Sequence, residues 1–134
     1  MDNRYNRHNR RKYNLKAHIV LVTKYRKPLL HGSLADDVKR EIYNICNAKD
    51  YSIIAMETDK DHIHFLVSYD ATDRVCDIVK AVKQVTTHYL WKQYPDFLSK
   101  HYWKRKNFWS DGYFACSIGE VSSSTIEKYI ASQG

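Results

Sequence analysis

A chain of 134 residues fits a single domain, long enough to bury a real core and too short for two. Lys and Arg number 22 against 15 Asp and Glu, a formal +7, so its field draws polyanions, nucleic acid first among them. Cys46, Cys76 and Cys116 are widely spaced with no C-x-x-C pair, which argues against a disulfide framework or cysteine zinc site and for reduced, mostly buried thiols.

The N-terminus carries no apolar signal-peptide core, and no run of about 18 apolar residues could span a membrane, so a cytoplasmic protein with no membrane partner is expected. Residues 1–16 hold Arg4, Arg7, Arg10, Arg11, Lys12 and Lys16 and read as an exposed basic arm. His18 to Thr23 (HIVLVT) is a β-branched run and predicts a strand. Ser33 then precedes a helical stripe of Leu34, Val38, Ile42 and Ile45 that ends near Lys49, with Asp36 and Asp37 suited to its first turn.

Tyr51 to Thr58 predicts a second strand, and Asp59-Lys60-Asp61 a polar turn into a third, His62 to Tyr69, so the two form a hairpin. Asp73 is the expected cap of a long helix with the stripe Val75, Ile78, Val79, Val82, Val85 and Tyr89, ending before Pro95. Residues 95–112 read as an aromatic, basic loop, and Tyr113 to Ile118 as a fourth strand. Ser124 and Glu127 then form an S-x-x-E capping box for a last helix, over 122–134, that carries Tyr129. The order β-α-β-β-α-β with an appended helix is an α+β, ferredoxin-like pattern: one antiparallel sheet with helices on one face. RNA-recognition domains share that order, so function must be argued from the site.

Side chains alternate faces along a strand, so His62 and His64 project together while Ile63, Phe65 and Val67 point into the helix-covered core. Two neutral imidazoles a strand repeat apart can hold a metal jointly, although such a pair taken alone is more often two solvent-facing histidines. On the last helix Tyr129 and Gln133 lie four residues apart and share a face, presenting a phenol beside an amide oxygen. Gln133 could supply a third ligand and Tyr129 a nucleophile, while a helix-face tyrosine by itself usually packs. The stretch from Lys100 to Trp109 interleaves cations with aromatic rings, as single-strand binders do, and equally fits a solvated loop with its aromatics tucked inward.

The segments D-K-D-H-I-H-F-L-V (59–67) and Y-I-A-S-Q (129–133) resemble the TnpA-type single-tyrosine transposases of the HUH nuclease superfamily. K-Y-R-K (24–27), W-S-D-G-Y-F (109–114) and S-I-G-E-V-S (117–122) are similar to family sequence too, so the resemblance covers nearly the whole chain. It implies His62 and His64 as metal ligands, Gln133 as the third, Tyr129 as the nucleophile, and Mg²⁺ or Mn²⁺ as the metal. The implied reaction is cleavage and rejoining of single-stranded DNA at insertion-sequence ends through a 5′-phosphotyrosine link. The implied partners are single strands with subterminal hairpins and a second copy of the chain, with composite sites in which one subunit's histidines work with the other's tyrosine helix; the sequence itself leaves open whether that helix docks on its own subunit or on the other. For DNA contact the candidates are Arg10, Arg11, Lys12, Lys104, Arg105 and Lys106. Two alternatives stand beside this: a non-catalytic module binding single-stranded nucleic acid on the same sheet, and a zinc hydrolase using His62, His64 and Asp61.

Overall fold

The computed structural model describes residues 15–117 and 129–132. It contains β1 (Leu15–Val22), α1 (Gly32–Ala48), β2 (Ser52–Asp59), β3 (His62–Tyr69), α2 (Val75–Gln93), α3 (Pro95–His101) and β4 (Phe114–Ser117), with a 3₁₀ turn at Lys24–Arg26. The strands form one antiparallel sheet in the order β2-β3-β1-β4, which is the expected ferredoxin-like arrangement.

One sheet face and the two long helices enclose the main core. Ile19 and Leu21 of β1 and Ile63, Phe65 and Val67 of β3 meet Val38 and Ile42 of α1 and Ile78, Val82 and Leu90 of α2. Each such side chain contributes about 1.5–3 kcal/mol when fully buried. The alternation of β3 thus holds as read from the sequence, with the odd residues from Ile63 to Val67 inward and His62 and His64 outward. β1 differs, because Val20 and Val22 are fully buried as well. They form a second small cluster with Ile130, flanked by Phe114 and Tyr129, on the opposite face of the sheet. Both faces of this central strand are therefore covered, which explains the unbroken apolar run IVLV.

Several boundaries differ from expectation. β1 begins at Leu15 rather than His18, because Leu15, Lys16 and Ala17 pair with Tyr69, Ser68 and Val67. The first helix starts at Gly32, so Asp36 and Asp37 lie beyond its first turn, and Ser33 interacts with the Tyr94 hydroxyl instead of capping. Arg74, not Asp73, occupies the cap position of α2 and makes no side-chain cap bond. The expected loop 95–112 contains α3, with Pro95 in its first turn where its missing N–H costs nothing. Tyr113 stands outside β4, and Ile118, the capping box at Ser124 and Glu127, and the arm with Arg10, Arg11 and Lys12 lie outside the described residues.

The cysteines divide. Cys46 is buried and its thiol is pushed up to about 12 by desolvation, whereas Cys76 is exposed, contrary to the expectation of mostly buried thiols. A thiol-specific disulfide reagent is therefore expected to modify Cys76 in the native protein at neutral pH and Cys46 only on unfolding. Labelling followed by peptide mapping checks this, and prompt native-state modification of Cys46 would contradict the packing of α1.

Candidate active site

The sheet register decides what shares the histidine face. His62 pairs with Val22 and His64 with Val20 across the β1–β3 ladder, while Glu57 and Asp59 of β2 stand opposite His64 and His62 on the other side. Directly paired residues of antiparallel strands project to the same face. The two imidazoles therefore look out on the side where Ile130 covers Val20 and Val22. Residues 129–132 are helical, and the Tyr129 ring packs on Phe114 at 5.4 Å between centroids. The histidine pair and the tyrosine segment thus share one face of one sheet.

Each histidine is held by a neighbour. The rings of His62 and His64 lie 6.2 Å apart at 26°, nearly parallel. Asp61 Oδ1 sits 2.9 Å from His62 Nδ1, which fixes that nitrogen as the donor and leaves Nε2 free for a ligand. His64 Nδ1 lies 3.1 Å from His18 Nε2, an imidazole pair made possible by the diagonal placement of β1 and β3. Its Nε2 faces the exposed carboxylate of Glu57 at 3.6 Å. Burial keeps the His64 pKa below the usual 6.5; Glu57 pulls it the other way, and His62 lowers it further. His18 is lowered as well, by burial and then by His64. For His18 and His64 these shifts favour the uncharged ring, the form in which imidazole binds metals.

Asp61 is not positioned as a ligand. It belongs to the turn before β3, is buried, and its second oxygen accepts from Arg26 Nε at 3.3 Å. These bonds and charges hold its carboxyl below the ordinary range against the opposing effect of burial. Arg26 Nη1 in turn reaches the Ala131 carbonyl at 3.4 Å. One guanidinium therefore links the carboxylate that orients His62 to the segment that carries Tyr129. Among the described residues no three of His, Cys, Asp or Glu come together as a complete metal cage. Gln133, the expected third ligand, lies outside those residues.

The Tyr129 hydroxyl is buried and has no hydrogen-bond partner among the described residues, and burial pushes its pKa above 10. The imidazoles of His62 and His64, side by side on one sheet face, are donors of a kind that a divalent metal accepts.

The basic stretch after α3 resolves residue by residue. Tyr102, Phe108 and Trp109 are buried in the core, with the Trp109 indole donating to Thr86 Oγ1 at 2.8 Å. Trp103, Lys104, Arg105 and Lys106 are exposed. Lys83 Nζ donates to the carbonyls of Ser110, Asp111 and Gly112, at 2.8, 3.2 and 2.9 Å, fastening the 109–114 segment to α2. The roles of His18, Arg26 and Lys83 are not readable from the sequence. They depend on strand order and on a turn that places Tyr25 and Arg26 at φ +62° and +54°, a conformation that only glycine favours.

Comparison with known proteins bears on this site. Residues 11–133 match the profile of the IS200-like transposases. The chain is 32% identical over 121 residues to the ISDra2 transposase TnpA of Deinococcus radiodurans, covering 90% of this chain and 85% of that protein. It is 28% identical over 122 residues to the transposase of insertion sequence element IS200 from Salmonella typhimurium, covering 91% and 78%. A solved transposase structure from Deinococcus radiodurans superposes with a TM-score of 0.81 at 27% identity, over 89% of this chain and 90% of that one. A REP-associated tyrosine transposase bound to a REP hairpin shares the fold, with a TM-score of 0.57 at 14% identity over 87% and 62%.

Proposed function

Because the chain belongs to the IS200-like transposase family, we propose that it cuts and rejoins single-stranded DNA at insertion-sequence ends by covalent attack of Tyr129. The observation that carries this reading is the placement of the Tyr129 segment on the sheet face that bears His62 and His64. A divalent ion, Mg²⁺ or Mn²⁺, held by His62, His64 and Gln133, would act as a Lewis acid on the scissile phosphoryl group and neutralise charge on the leaving oxygen.

The protein's own groups then have definite tasks. Tyr129 Oη forms the bond to phosphorus, the bond from phosphorus to the 3′-oxygen breaks, and that oxygen leaves as a 3′-hydroxyl. The phenolic proton passes to water and the leaving 3′-oxygen takes one from water, since a phenol with a pKa above 10 is a poor nucleophile at neutral pH until it is deprotonated. Rejoining is the reverse step with a new 3′-hydroxyl, and the phosphotyrosine bond conserves the energy for it. Asp61 holds the His62 ring in the tautomer that leaves Nε2 available, and the contact with His18 orients the His64 ring. Arg26 tethers the tyrosine segment to that carboxylate.

The similarity to a hairpin-bound tyrosine transposase supports hairpin-bearing DNA as the partner, and the reading extends this to single strands with subterminal hairpins and a homodimer working in the cytoplasm. Among the described residues no helix is long and apolar enough to cross a membrane. The alternative of a non-catalytic module is less well supported, because such sheets stack bases on aromatic residues of their central strands. Here β1 and β3 present His18, His62 and His64 there, and Val20 and Val22 are covered.

The reading is tested by incubating the protein with end-labelled single-stranded DNA carrying element ends and Mn²⁺ or Mg²⁺, then running a denaturing gel. A metal-dependent protein–DNA band is expected, and DNA cut without any covalent species would sink the tyrosine mechanism. The role of Asp61 has its own readout. Asp61→Asn is expected to weaken Mn²⁺ binding by roughly 10–100-fold, the usual cost of losing a carboxylate behind a metal-binding histidine. Calorimetric titration with Mn²⁺ measures it, and unchanged affinity would remove Asp61 from the site.

A further inference from the structure

We propose that the cleft formed by Tyr25, Tyr102 and Trp103 binds one unpaired nucleobase of a DNA strand, a site separate from the histidine face. The proposal rests on the reading that this protein handles single-stranded DNA. The cleft has a volume of about 190 Å³, with His101, Lys104, Arg105 and Asn107 completing its wall. That is below the roughly 300 Å³ at which sites for drug-sized ligands begin, so it takes one planar ring system rather than a whole nucleotide.

Its aromatic content is unusual for a surface. Trp103 is 74% exposed and Tyr25 62%, the two highest values among the large apolar side chains described. Single exposed aromatics need no explanation, but two beside one cleft over a third that is buried do. Tyr102 is the floor. Its hydroxyl donates to the Lys24 carbonyl at 2.9 Å, so what the cleft meets is its ring, 6.4 Å from that of Tyr25.

The backbone that presents Tyr25 is strained and held. Tyr25 and Arg26 both adopt left-handed φ values, which cost on the order of 1–3 kcal/mol each in non-glycine residues and persist where surrounding bonds over-determine them. Those bonds are present: Thr23 Oγ1 donates to the Lys27 carbonyl at 2.7 Å, and Lys24 N–H to the Phe108 carbonyl at 2.8 Å. The turn thus fixes an aromatic ring facing solvent, which is preorganisation for a flat partner.

Charge agrees with a nucleic-acid occupant. Lys104 and Arg105 stand at the wall, Lys27 Nζ lies 5.8 Å from the Tyr102 ring centre, and Lys24 Nζ, which pairs with Asp111 at 3.2 Å, lies 5.4 Å from that of Tyr25. Aromatic faces take the base while ammonium and guanidinium groups take its flanking phosphates. The amide of Asn107 offers both a donor and an acceptor for a base edge. The same turn carries Arg26, bonded to Asp61 and to the Ala131 carbonyl, so a strand anchored here lies next to the tyrosine segment.

The test is binding of a hairpin-free oligothymidylate of about 12 nucleotides to the full chain across a salt series, read by tryptophan fluorescence and anisotropy. Trp91 and Trp109 donate their indole N–H groups within the protein, so Trp103 is the reporter that a stacked base quenches. Trp103→Ala and Tyr25→Ala are expected to lose affinity by about 5–150-fold, the range of one base–aromatic stack, with the salt slope unchanged. Trp103→Phe should recover most of the loss. Neutralising Lys104, Arg105 and Lys106 should instead flatten the salt slope, since fewer counterions are released. Wild-type affinity in both alanine variants, absence of quenching, or a loss that vanishes at high salt would overturn the base site. The covalent-adduct assay on the wild-type protein is independent of these results, so the base site can fail while the transposase reading stands, and the reverse.

Discussion

Tyr129→Phe is expected to abolish both the covalent protein–DNA adduct and the free 3′-hydroxyl product while leaving the fold and DNA binding intact. The substitution removes one oxygen and keeps the ring that packs on Phe114 and the Val20, Val22 and Ile130 cluster. Because that oxygen is buried without a partner among the described residues, its removal relieves a desolvation cost of roughly 1–3 kcal/mol. The variant should therefore melt at or slightly above the wild-type temperature. A lost nucleophile typically costs on the order of 10⁶ in rate, which puts residual cleavage below detection. Side-by-side thermal melts, anisotropy and denaturing gels check all three statements. Cleavage surviving at near wild-type rate would assign the attack to activated water or to another tyrosine.

The second large effect is expected at the histidines. His62→Ala or His64→Ala should eliminate metal-dependent cleavage and lower Mn²⁺ affinity, while hairpin binding persists. Metal ligation rests on two imidazoles of β3, whereas affinity for DNA rests on phosphate contacts from basic side chains elsewhere. His62 and His64 are only partly buried, so neither truncation opens a core cavity of the kind Phe65→Ala would. Titration of each variant with Mn²⁺ and with a labelled hairpin separates the outcomes. Loss of hairpin binding together with cleavage, in a variant with a wild-type melting curve, would place the histidines in DNA contact instead.

Much of this architecture is legible in the residues. Period-two alternation from His62 to Tyr69 and the stripes of the two long helices fix which side of each element is buried, because burial follows Cβ direction. What stays hidden depends on partners far along the chain. Ser33 and Asp73 carry the right chemistry for caps, but Ser33 meets Tyr94 and the helix of Asp73 starts later, so tertiary contacts override a local preference. α3 hides in a sequence of cations and aromatics whose short length leaves little periodicity to read.

The site divides in the same way. His62, His64 and Tyr129 follow from spacing and resemblance, whereas the His18 contact with His64 needs the strand order β2-β3-β1-β4, which nothing local encodes. Arg26 is hidden more deeply, because a left-handed turn at Tyr25 and Arg26 violates the expectation for non-glycine residues. Local rules fail where the chain is built to bring Asp61 and Ala131 to one guanidinium.

The measurement that bears most directly on the central claim is the identity of the linked residue. Wild-type protein incubated with Mn²⁺ and a single-stranded element end, digested with protease and nuclease and sequenced by mass spectrometry, should carry the nucleotide remnant on the peptide containing Tyr129. The chain offers eleven tyrosines, so the assignment is a real choice. A remnant on any of the other ten, or cleaved DNA with no modified peptide, would contradict the account.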